Sequence, residues 1–274
     1  MIPRSNLHTH TTFCDGKNTP EEMVLAAIAE GMVSLGFSGH AELPFPDCDT
    51  WCMVGERLSG YRSEVLRLKK AYTDQIEIAL GIEQDYFSPA LTQSYDYVIG
   101  SVHYVMRNGV PIAVDISTNE FSSDLKEHYG GNGLTLAKDF FSLAADVVKK
   151  TSCDIVGHFD LLTKFNAELR YLDEDSKEYQ SLALEALDAI LEEDVLIELN
   201  TGAISRGRRT IPYPPPFICK RIAEKQGRVI FNADAHFAKN VLYGFDHAIE
   251  YARACGIREI WYYANGQFHA ASIV

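Results

Sequence analysis

Short β-branched and apolar runs alternate along the chain with amphipathic stretches, the order of a parallel sheet whose strands are joined by helices. Eight runs read as strands: "SNLHTH", "VSLGFSGH", "IEIALGIE", "YVIGSVH", "CDIVGHFD", "VLIELNTG", "RVIFNADAH" and "EIWYYANG". "TPEEMVLAAIAEG" reads as a helix, with Thr19 as its cap, Pro20 in the first turn, Glu21 and Glu22 behind it, and Gly31 at its end. "SGYRSEVLRLKKAY", "LAKDFFSLAADVVKK", "SKEYQSLALEALDAILEE" and "YPPPFICKRIAEKQG" read the same way. No Gly/Ser linker, low-complexity tract or internal repeat interrupts the 274 residues, so one α/β domain over 1–274 is expected. Seven or eight strand–helix units predict a closed or distorted barrel.

In such a barrel the carboxyl ends of all strands meet on one face, where active sites sit. Nearly every predicted strand ends in a histidine or an acid: His8 and His10, His40, Glu83, His103, His158, and Asp234 with His236. Six of the nine histidines are in this set. Buried together without a metal, their nitrogens would be left unpaired or, once protonated, would repel one another. Neutral imidazole suits zinc, iron or manganese, and Glu83 and Asp234 supply anionic charge, so a cluster of divalent ions is expected. Asp15 follows His10 by five residues in the loop leaving the first strand, where it either reaches a further ion or serves the turn signalled by "CDG".

Composition narrows the partners. The net charge is −13, from 25 basic and 38 acidic residues, and no run of Lys or Arg offers a grip on a phosphate backbone, which excludes long nucleic acid. A small anion remains possible where metal ions or paired arginines reverse the local field. "MIPRSNLHTH" lacks the charged-then-apolar pattern of a signal peptide, and no stretch reaches the roughly 18 apolar residues that span a bilayer, so no membrane partner and a cytoplasmic location are expected. The six scattered cysteines read as reduced thiols; Cys48 and Cys52 have zinc-ligand spacing, but no second pair completes a site.

With these residues in hand, the chain resembles the polymerase and histidinol phosphatase (PHP) superfamily. "HTH" with Asp15, "GHAE" at His40, "GIEQDY" at Glu83, "GSVHY" at His103, "GHFD" at His158 and "NADAH" at Asp234 and His236 are similar, in order, to its successive metal motifs. "LHTHTTFCDGKNTPEEM" and "ELNTGAISRG" resemble the histidinol-phosphate phosphatase branch, while "SRGRRTIPYPPP" and "PDCDTWCMVGERLSGY" diverge from it. The resemblance implies a distorted (β/α)7 barrel holding two to three divalent ions (Mn, Fe or Zn). It implies that His8, His10, Glu83 and Asp234 bind the first ion, that Glu83 bridges to a second held by His103 and His158, and that Asp15, His40 and His236 take the third.

The implied activity is hydrolysis of L-histidinol phosphate by a hydroxide bridging two ions about 3.5–4 Å apart, with no covalent enzyme intermediate. The poor alkoxide leaving group needs a proton, relayed by Asp234 or His236, or a cation. Arg206, after the strand ending "ELNTG", is the candidate phosphate clamp, unless it belongs with Arg208 and Arg209 to a solvated loop face. Asp160, two residues past His158, is expected either to receive the substrate amine or to cap the next helix. Tyr86, Tyr104 and Phe159 either shape an imidazole pocket or belong to the core, and His128, His247 and His269 have no site logic. Two other functions fit the same residues: a phosphoesterase acting on nucleotides or other small phosphates, and a non-catalytic metal-stabilised module.

Overall fold

A computed structural model describes residues 2–274. In chain order its elements are β1 (Ser5–Asn6), α1 (Pro20–Ala29), β2 (Ser34–Phe37), α2 (Glu56–Ala71), β3 (Glu77–Asp85), β4 (Tyr97–Ser101), β5 (Tyr104–Arg107), β6 (Val110–Ala113), α3 (Thr118–Tyr129) and α4 (Gly133–Thr151). They continue with β7 (Ile155–Val156), α5 (Asn166–Leu169), α6 (Lys177–Leu191), β8 (Leu196–Asn200), α7 (Gly202–Ser205), α8 (Pro216–Glu224), β9 (Arg228–Asn232), α9 (Phe245–Ala254), β10 (Glu259–Ala264) and β11 (Gln267–Ser272).

One nine-stranded sheet runs β1-β2-β3-β4-β7-β8-β9-β10-β11, parallel throughout except for β11, which returns along β10. The sheet curls far enough for the first and seventh strands in this order to meet past their ends. His10 N donates to Ala235 O at 2.9 Å and Ala235 N to His8 O at 3.0 Å. Where β1 is too short for a full ladder, asparagine side chains replace it: Leu7 N donates to Asn232 Oδ1 at 2.7 Å, and Ala233 N to Asn6 Oδ1 at 3.0 Å.

Inside the curl lies a small apolar cluster of Leu7, Ala79, Tyr97, Ile99, Ile155, Leu196, Ile230 and Tyr263. The Tyr97 hydroxyl donates to the Leu7 and Phe37 carbonyls, and its ring fills the space a side chain on Gly81 would need: a Cβ there would lie 2.2 Å from the ring. The larger core packs the outer face of the sheet against the helices. All eight predicted strands carry a sheet strand, and α1 has the predicted cap, with Glu22 N bonded to Thr19 Oγ1 and Thr19 N to Glu22 Oε2.

The pattern missed α3, α5, α7, α9, β11 and the β5–β6 hairpin; all but α9, which is the crossover from β9 to β10, stand outside the simple strand–helix alternation. Between β3 and β4 no helix was expected, and the chain passes through residues 86–96 without one. Cys48 and Cys52 are buried free thiols, Cys48 Sγ lying 3.4 Å from the Tyr104 hydroxyl, and neither joins a metal-competent group among the described residues. No helix among the described residues is long and apolar enough to cross a membrane.

Candidate metal centre

The expected ligands leave the sheet at the carboxyl ends of five strands, with Glu83 inside a sixth, β3. In β1 and β7 only two residues each make the ladder, so His8, His10 and His158 lie just past it, where the chain is free to turn the imidazoles inward. His8 and His10 are fully buried, and Glu83 is 1 % exposed.

Glu83 stands at the middle. Its Oε2 lies 2.9 Å from His40 Nδ1, 3.3 Å from His8 Nε2 and 3.5 Å from His10 Nε2; its Oε1 lies 2.9 Å from His158 Nε2 and 3.4 Å from His103 Nε2. Asp234 Oδ1 is 3.4 Å from His10 Nε2 and 3.9 Å from His8 Nε2. Asp15 gathers the outer edge: its Oδ2 is 2.9 Å from His236 Nε2, its Oδ1 3.5 Å from His10 Nδ1 and 3.6 Å from His40 Nε2. All nine expected residues therefore meet in one cluster, within which four groups have metal-competent spacing: His8 with Glu83 and His158; His8 with His10 and Asp234; His40 with Glu83 and His103; and His10 with Asp15, His40 and His236. His8, His10, His40 and Glu83 each belong to two of these groups, so the division among ions drawn from the resemblance is sharper than the packing.

The donor chemistry fits divalent ions. His8 Nε2, His10 Nε2 and Asp15 Oδ1 are buried in the cluster and have no hydrogen-bond partner. Interiors rarely leave such atoms unsatisfied, and imidazole nitrogens mixed with carboxylate oxygens are the ligands that zinc, iron and manganese accept. Burial works against ionising Glu83 and Asp234, but the histidines around Glu83, and Arg206 with His8 beside Asp234, hold both carboxyls well below the usual range. His10 is driven down to about 3, by burial and then by His236 and His40, and so is neutral and able to ligate. Burial also lowers His8, but Glu198, Glu83 and Asp234 outweigh it and raise its pKa well above that of an ordinary histidine, so in the metal-free protein a proton neutralises part of the acid cluster.

Asp234 occupies the left-handed region at φ 46°, a conformation that costs a non-glycine residue on the order of 1 kcal/mol. The turn aims its carboxylate at the histidines and at Arg206, whose Nη2 lies 2.8 Å away. Gly202 makes room for this pair, since a Cβ there would sit 2.7 Å from Asp234 Oδ2 and 2.9 Å from Arg206 Nη2.

Behind the ligands stand two acids that the sequence reading overlooked. Glu198 in β8, fully buried, accepts from His8 Nδ1 and His158 N at 2.7 Å each, from Asn200 Nδ2 at 2.8 Å and from Asn232 Nδ2 at 2.9 Å. Asp85 accepts from His103 N at 2.8 Å and lies 3.1 Å from His103 Nδ1. Such partners fix which imidazole nitrogen faces the ions. The available signal was an acid inside a run that otherwise reads as a buried strand, "LIELN", and a second acid two residues past Glu83.

The cluster opens into a cavity of about 270 Å³ whose wall includes Trp51, Tyr104, Asp115, Ile116, Leu161, Lys164 and Arg206. Arg206 thus lies where expected, whereas Arg208 is on the exposed loop face, 3.4 Å from Glu168. Asp160 does not lie there. The strand ends at Val156, so alternation no longer governs residue 160, and the chain bends into a 3-10 turn that Asp160 precedes. Its carboxylate, fully buried and pushed by burial up to about 6 despite Arg209, is turned to Thr163 and Arg209. Beyond the ligand acids Asp15, Glu83 and Asp234, the acid that lines the cavity is Asp115, held by Lys164 Nζ at 3.2 Å. Trp51, from the divergent loop, stands edge-on to His40 at 4.8 Å. Phe159 belongs to the core and Tyr86 bonds Asp146, while His128, His247 and His269 lie outside the cavity.

Comparison with known proteins places this geometry. A Deinococcus radiodurans protein named "Probable histidinol-phosphatase" is 28% identical over 265 residues, covering 92% of this chain and 94% of that protein. The Bacillus subtilis histidinol-phosphatase is 27% identical over 263 residues, covering 89% of this chain and 97% of that protein. The crystal structure of the Lactococcus lactis histidinol phosphate phosphatase, complexed with zinc, L-histidinol and phosphate, superposes with a TM-score of 0.73 at 21% identity, covering 98% of this chain and 100% of that one, and so shares the fold. The PHP domain profile matches residues 6–202, and with the strand-end histidines and acids gathered about Glu83 the chain belongs to the PHP domain family.

Proposed function

We propose that this protein is a metal-dependent phosphomonoesterase that hydrolyses L-histidinol phosphate to L-histidinol and phosphate. The observation that carries this reading is the meeting of His8, His10, Asp15, His40, Glu83, His103, His158, Asp234 and His236 in one cluster at the cavity, in a chain whose relatives over about nine-tenths of its length are named histidinol-phosphatase or probable histidinol-phosphatase. Divalent ions held by these residues supply a water-derived nucleophile at neutral pH and neutralise charge on the phosphoryl oxygens.

The remaining roles fall to side chains. Arg206, at the cavity wall, offers a guanidinium to a phosphate oxygen. His236, with the ionised Asp234 carboxylate 3.4 Å away, is the group through which a proton reaches the ester oxygen unless an ion holds that oxygen directly. Asp115 takes the part expected of Asp160, a carboxylate for the substrate ammonium. Burial raises its pKa, but Lys164, His103 and His158 outweigh that and keep it ionised. Trp51 and Tyr104 present ring faces and edges to an imidazole. The six free cysteines fit a reducing compartment, and we read residues 1–274 as one cytoplasmic domain.

The test is a comparison of kcat/KM for L-histidinol phosphate with nucleotides and sugar phosphates, on protein loaded separately with zinc, manganese and iron. A preference of about a hundredfold or more for histidinol phosphate is expected; a nucleotide turned over as well or better overturns the substrate, and no turnover with ions bound identifies a non-catalytic module. Asp115→Asn is expected to raise KM for histidinol phosphate by about tenfold, the worth of one charge-assisted hydrogen bond, and to leave p-nitrophenyl phosphate, which has no amine, within about twofold. Equal losses on both substrates would remove Asp115 from amine recognition.

A further inference from the structure

Beside the cavity, outside its wall, is a buried polar group that the proposed chemistry does not use. The Arg209 side chain is 8% exposed and reaches from the loop after α7 into the turn after β7. Its Nη1 donates to Thr163 Oγ1 and lies 3.7 Å from Asp160 Oδ2, and its guanidinium stacks 4.5 Å from the Tyr213 ring centroid. Asp160 is fully buried, and Arg209 is the only cation within ion-pair distance of it among the described residues. Tyr213 in turn is pinned to β8, its N and O each bonded at 2.9 Å to Asn200.

The two segments joined here carry functional residues close by. Asp160 is two positions past His158, and Arg209 is three past Arg206. Between Arg206 and Tyr213 the other charged tie from this loop to the rest of the fold is the exposed pair Arg208–Glu168. A buried Arg–carboxylate pair adds little net stability once desolvation is counted, and this one joins two segments that carry site residues. We propose that Arg209 is a positioning residue: by clamping its loop to the His158 turn it sets the reach of Arg206 into the cavity, and through Arg206 the affinity for phosphate. The inference rests on the phosphate-ester reading of the cavity.

The experiment is a double-mutant cycle on zinc-loaded protein: wild type, Arg206→Ala, Arg209→Gln and the double variant, with bound zinc counted and the Kd of inorganic phosphate measured by calorimetry. Arg206→Ala is expected to weaken phosphate by about tenfold or more. Arg209→Gln should approach that loss in the wild-type background, change Kd by less than about twofold in the Arg206→Ala background, and keep the zinc count. Equal losses in both backgrounds, or no loss in a folded Arg209→Gln protein, would overturn the proposal. If Arg209→Gln does not fold, Arg209→Lys, which keeps the charge but loses the planar fork, is read by the same criteria. A wild type that binds phosphate but ignores histidinol phosphate overturns the substrate alone, whereas one that binds no phosphate overturns both.

Discussion

Glu83→Gln is expected to lower kcat/KM by on the order of a thousandfold or more and to leave the purified protein with less metal than wild type. Five imidazoles stand within 3.5 Å of the Glu83 carboxylate, on both of its oxygens. The glutamine amide has the same shape but no charge, and its NH2 points a donor where the ions need a lone pair. Charge stabilisation by the bound ions contributes several kcal/mol of barrier lowering, which is the size of the loss expected. Metal analysis and steady-state kinetics on the same preparation check this. A variant that keeps the wild-type metal count and a rate within about tenfold would show that Glu83 is not the shared ligand.

The second large effect is expected at Glu198, which touches no cavity. Replacing it with Leu leaves four donors unpaired in the interior: His8 Nδ1, His158 N, Asn200 Nδ2 and Asn232 Nδ2. Removing one member of a buried, hydrogen-bonded charge cluster costs about 3–5 kcal/mol, so a Tm lower by roughly 5–15 °C is expected. The His8 ring also loses the partner that fixes its Nε2 toward the cluster, and a 10- to 100-fold weaker metal affinity follows from that kind of loss. Thermal unfolding with and without added zinc separates the two effects. A Tm and a zinc titration both matching wild type would mean that the ring orientation is set elsewhere, for instance by packing against His158, 5.6 Å away. Glu198→Gln, which keeps the volume and one acceptor, is expected to fall between.

Most of the ligands could be read from the sequence because all but Asp15, in a loop, and Glu83, two residues inside β3, follow closely on the end of a strand, and a parallel sheet sends all such ends to one face. Residue type and position along a strand are local properties: "HTH", "GHAE" and "NADAH" carry them without reference to the rest of the fold. Asp160 shows the limit of that logic. The period-2 argument holds only while the ladder lasts, and β7 stops at Val156, four residues before it. Asp115 carried no comparable signal, because it follows the β5–β6 hairpin and owes its place in the cavity wall to that excursion and to Lys164.

The positions of the sheet strands along the chain, the chemistry of the ligand set and the cap of α1 were thus written in short windows of residues, where periodicity and side-chain type suffice. Pairings such as His8 with Glu198, 190 residues apart, and Arg209 with Thr163 exist because the sheet curls and its crossover loops fold back over its carboxyl face. No local pattern encodes a contact made by closing the sheet on itself. The cavity floor therefore belongs to what the chain spells out, and its walls and the acids behind the ligands to what packing alone brings together.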